Sequence, residues 1–128
     1  MITGFDEETA PLSEKELKIL PHVAFILGTR KGHDAAITNK QIAKAIWNTE
    51  FVKVGEPRIR KIINYIRING IVSCLIATSK GYYVATNEQE LLDYEQSLDG
   101  RATAIWNIKA QIKKQREERY RQQQGVLF

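Results

Sequence analysis

The sequence predicts a mostly helical fold with one β-hairpin and a long C-terminal helix, on three observations. Helix-starting boxes stand at Ser13–Glu16, Thr38–Gln41 and Asn87–Glu90, where a short polar side chain and the residue three positions later cap each other's backbone N–H groups. Ile59, Ile62, Ile63 and Ile66 recur at i, i+3, i+4 and i+7, which puts them on one helix face. After Gly70 the pattern shifts to two short β-branched and aromatic runs, separated by the turn chemistry of Thr78-Ser-Lys-Gly81.

In chain order, Ser13 starts a helix that Pro21 is expected to stop at Leu20, because proline removes a donor and collides with the preceding turn. A new helical start then carries His22 to Thr29, and Gly28 to Asp34 reads as a loop. Thr38 opens a short amphipathic helix with Ile42, Ala43, Ile46 and Trp47 on its apolar side. Gly55-Glu-Pro57 opens the isoleucine helix, since proline in the first turn forfeits only an N–H that had no partner, and Asn69-Gly70 suits a left-handed cap. Ile71 to Ala77 and Tyr82 to Thr86 form the hairpin, with Cys74 expected as a small buried thiol. From Asn87 no proline interrupts the helix formers until about Gln122, and Asp99-Gly100 is the one expected kink. The expected divisions are an extension with a short helix at 1–20, a compact domain at 21–87, the long helix at 88–122 and a flexible tail at 123–128.

The net charge of +4 over 128 residues conceals a strong partition. Residues 1–20 carry −3, residues 21–87 carry +7, residues 88–100 carry −5 and residues 101–128 carry +5. No apolar run approaches the roughly 18 residues of a membrane span, and the acidic start, Met1-Ile-Thr-Gly-Phe-Asp, lacks the layout of a secretory signal. The expectation is a soluble protein of the cytoplasm. His22 and His33 have no partners at metal-ligand spacing, and no nucleophile motif, phosphate loop or paired carboxylate appears, so no cofactor, no metal and no catalysis are expected.

The order helix, helix, helix, hairpin over residues 21–87 resembles the winged helix-turn-helix family along that whole stretch, with Pro57 to Asn69 as recognition helix and Ile71 to Thr86 as wing. The resemblance implies binding to double-stranded DNA, although such folds also dock proteins. On a helical wheel Arg60, Lys61 and Asn64 lie opposite the isoleucines, with Arg67 and Tyr65 on the two flanks, and Arg58 in the first turn joins them as a candidate DNA contact. Arginine and asparagine there suit guanine and adenine edges in a major groove, and lysine suits phosphate. Lys40 and Lys44 at the front of the second helix would meet the DNA backbone, and Ser79 and Lys80 at the wing tip the neighbouring phosphates or minor groove. The plainer reading is a solvated basic face.

The last five residues, Gln124-Gly-Val-Leu-Phe128, resemble the pentapeptide by which bacterial replication and repair proteins dock on the β sliding clamp. The resemblance implies that Gln124 fills a polar subsite and that Leu127 and Phe128 enter an apolar cleft, while Gly125 and Val126 depart from the commonest residues. The plainer reading is a tail packed on its own protein. Leu91, Leu98, Ile105 and Ile112 form a heptad line that can seal against an identical helix as a homodimer, although Arg101 and Gln115 break the complementary line. Alternatively the cations from Arg101 to Arg121 extend a surface along DNA. The stretch from Lys80 to Ile105 looks like small winged-helix proteins of bacteriophages and prophages, which implies a setting in replication of phage DNA. The alternatives are a dimeric winged-helix repressor of MarR-like or PadR-like type with a structural tail, and a non-catalytic protein–protein adaptor.

Overall fold

The computed structural model describes residues 9–126, with side chains through Arg121. In chain order it has helix α1 (Glu14–Gly28), a 3-10 turn (His33–Ala35), α2 (Asn39–Glu50), α3 (Glu56–Asn69), strands β1 (Leu75–Thr78) and β2 (Gly81–Val84), and α4 (Glu88–Val126). The chain is mostly helical, with one two-stranded antiparallel hairpin and a long last helix. It divides into two units, one reaching to Leu91 and the other starting at Leu92. Among the described residues no helix is long and apolar enough to cross a membrane.

The helix starts follow the capping chemistry. Ser13 Oγ accepts from Glu16 N at 3.2 Å while Glu16 Oε1 accepts from Ser13 N at 2.8 Å. The Thr38–Gln41 box closes in the same way, at 3.2 and 2.9 Å. The third start is a variant: Asn87 Oδ1 accepts from Glu90 N at 2.9 Å, but the Glu90 carboxylate reaches one residue further back, to Thr86 Oγ1 at 2.7 Å and Thr86 N at 3.1 Å. Those bonds favour the ionised form and hold the Glu90 carboxyl below the usual carboxylate range.

Pro21 does not end the first helix. It sits exposed inside α1, whose buried Ile19, Val23 and Leu27 lie on one face on both sides of it. A proline inside a helix costs about 3 kcal/mol, whereas each fully buried aliphatic side chain returns roughly 1.5–3 kcal/mol. The core therefore outweighs the missing hydrogen bond, and no division falls at residue 20.

The core of the first unit joins that face of α1 to Ile42 and Ile46 of α2, to Ile59, Ile62, Ile63 and Ile66 of α3, and to Ile37, Val54, Leu75 and Val84. Gly70 closes α3 in the left-handed conformation (φ 64°), and Ile71 N donates to Ile66 O at 3.0 Å, which fixes the exit of the chain. The following residues turn rather than extend. Strand β1 begins only at Leu75, because Cys74 itself is left-handed (φ 61°), and its thiol is exposed rather than buried.

Residues 30–37, which take in most of the loop expected from Gly28 to Asp34, line the open edge of β2. Ile37 and Tyr82 exchange two backbone hydrogen bonds, at 2.9 and 2.8 Å, and Gly32 N donates to Val84 O at 2.9 Å. The hairpin is thereby tied to the turn before α2. Gly81 marks the tightest approach: it has φ 123°, and a Cβ there would overlap the carbonyl of Ile37. Gly81→Ala is expected to cost about 2–3 kcal/mol through strain and steric displacement, measured as a lower denaturant midpoint with unchanged slope.

Candidate nucleic-acid interface

The side of α3 turned from the isoleucine core carries Arg60, Asn64 and Arg67 at i, i+4 and i+7, so they follow one another along one stripe. Arg60 and Arg67 are exposed and Asn64 is half-buried. Ile68 lies beside them at 71% exposure and Tyr65 is also exposed, which gives the polar stripe an apolar margin. Lys40 and Lys44 are exposed one turn apart at the start of α2. The hairpin turn presents Ser79 and Lys80 to solvent, fixed by Lys80 N donating to Thr78 Oγ1 at 3.2 Å and Thr78 Oγ1 donating to Gly81 O at 3.1 Å. Arg58 is exposed at the first turn of α3, on the side facing Ser13 and Glu16 of the α1 start.

Lys61 departs from the expected set. Its Nζ donates to Glu16 Oε1 at 2.8 Å, and the side chains are only 16% and 3% exposed. Helical-wheel geometry puts Lys61 away from the isoleucines, but the wheel knows nothing of α1, whose first turn packs over that flank. Lys61 is therefore an internal tie between α1 and α3, and its charge is spent on Glu16. Burial pushes the Glu16 carboxyl up, but the hydrogen bonds from Lys61 and from the Ser13 backbone and hydroxyl together outweigh it and leave the group below the usual carboxylate range.

The two histidines hold structure. His22 Nδ1 lies 2.9 Å from Glu50 Oε1 and joins α1 to the end of α2. His33 meets the Tyr83 ring edge-on at 5.8 Å. Burial, together with the neighbouring Glu90 carboxylate, raises the Tyr83 hydroxyl above its usual value. Among the described residues no group of three or more His, Cys, Asp or Glu side chains could hold a metal ion.

The Gln124 side chain and the residues Leu127 and Phe128 lie outside the described residues, although the backbone of α4 continues to Val126, past the expected end near Gln122. Neither a protein-family model, nor a curated protein, nor a solved structure matches this chain.

Proposed function

We propose that this chain is a non-catalytic DNA-binding protein of the winged helix-turn-helix type, phage-encoded and working in the bacterial cytoplasm, which docks on the host β sliding clamp through residues 124–128. The observation that carries the DNA reading is the stripe of exposed Arg60 and Arg67 with half-buried Asn64 on the third helix, together with exposed Lys40 and Lys44 on the second helix and Lys80 at the hairpin tip. In this reading α3 enters the major groove. Arg60 and Arg67 reach guanine edges, Asn64 an adenine, and the Ile68 side chain a thymine methyl. Lys40, Lys44, Arg58 and Lys80 neutralise phosphates, and Ser79 donates to one. Lys61 takes no part.

Titration of a fluorescent duplex by the full chain is expected to give saturable binding at moderate salt, and its absence rejects the DNA reading. The tail has its own test. Purified clamp should bind the full chain, and Leu127→Ala with Phe128→Ala should remove most of that affinity, since these two side chains would fill the apolar cleft. Clamp binding that survives the double substitution rejects the docking peptide while leaving the DNA reading intact.

A further inference from the structure

We infer that α4 binds a second copy of this chain, and that the two helices run antiparallel. Leu98, Ile105, Ile108 and Ile112 lie along one side of α4 and are 38%, 67%, 63% and 58% exposed. A row of four large aliphatic side chains spanning about 21 Å of helix is apolar surface that a folded chain ordinarily covers. The charges beside the row decide what covers it. At about 100° per residue, Glu95, Asp99, Lys109 and Lys113 fall on the same flank of the row, within an arc of about 80°. The acids come first along the helix and the lysines last.

A two-fold axis crossing the pair near residue 104 puts Glu95 of each helix opposite the partner's Lys113 and Asp99 opposite the partner's Lys109. The same register seats Leu98 between the partner's Ile108 and Ile112, so one alignment satisfies both the apolar row and the charges. A parallel pair would put this flank of the two helices on opposite sides of the seam, where neither the acids nor the lysines would meet each other, so only the antiparallel pair matches these charges. The closed, isologous arrangement also limits the assembly to a dimer. The inference concerns the helix alone and stands whether or not α3 binds DNA.

Sedimentation of the full chain without DNA, from low to high micromolar concentration, is expected to show a monomer–dimer equilibrium. Lys109→Glu with Lys113→Glu, and separately Glu95→Lys with Asp99→Lys, should each raise the dissociation constant at least about tenfold. All four changes in one chain should bring it back close to the original value, because the exchanged charges again face each other. Spin labels at Glu118→Cys in a Cys74→Ser chain should lie about 40 Å apart in the dimer, twice the axial distance to residue 104. Labels within about 20 Å mean a parallel pair and overturn the arrangement. A chain that stays monomeric throughout, or charge reversals that leave the dimer unchanged while weakening duplex binding, also overturns it and gives the helix to DNA instead.

Discussion

Lys61→Ala is expected to lower the stability of the first unit by about 3–5 kcal/mol, because it strands the Glu16 carboxylate in a buried position without its cation. For a domain of this size the melting midpoint should fall by roughly 12 °C or more. The Glu16 carboxyl is held below its ordinary value in the folded chain, so the pair contributes stability above the unfolded carboxylate pKa and loses it as pH falls through the folded value. The variant should weaken that dependence. Without Lys61 only the Ser13 hydrogen bonds still favour the ionised Glu16 against burial, so the variant should lose less stability than the original chain as pH falls. Glu16→Gln combined with Lys61→Met should recover most of the loss, since neither charge then remains to be desolvated. Equal melting of Lys61→Ala and the original chain between pH 4 and pH 8, on the order of the titration range of a carboxylate, would mean that the tie contributes nothing.

Arg60→Glu with Arg67→Glu is expected to weaken duplex binding by about 100-fold or more, from the loss of two groove contacts worth roughly 1–3 kcal/mol each. Both side chains are exposed, so the melting midpoint should move little. Lys15→Glu with Lys18→Glu makes the same change in net charge on exposed positions of α1 and should affect binding far less. The comparison separates a located interface from a general attraction between a basic protein and DNA. Equal losses from the two double reversals would leave only the general attraction.

What was readable in the sequence was local. The Ser13 and Thr38 boxes, the isoleucine face of α3 and the Gly70 cap depend on residues within one or two turns of each other, and each stands where the spacing puts it. What was not readable depends on distant neighbours. Pro21 is a helix breaker by its own chemistry and is overruled by Ile19, Val23 and Leu27 packing on other elements. Lys61 looks like its neighbour Arg60 until α1 is placed beside it, 45 residues away in the chain. The local hint of its partner was Glu16 itself, a capping residue whose Oε1 accepts from Lys61 Nζ as well as from Ser13 N. Cys74 sits in an apolar run, yet the turn forced by Gly70 and its own left-handed backbone sends its thiol outward. The bridge of residues 30–37 to β2 leaves no periodic signature because it is made by backbone groups.

The claim at the centre of the functional reading is that cations on α2, α3 and the hairpin tip meet DNA phosphates. It is tested most directly by measuring duplex affinity against salt concentration. Four cationic phosphate contacts, from Lys40, Lys44, Arg58 and Lys80, predict that log affinity falls with log salt at a slope of roughly −3 to −4. Lys44→Ala should reduce its magnitude by about 1. An affinity that stays flat across the same salt range, or a slope that Lys44→Ala leaves unchanged, would contradict that claim.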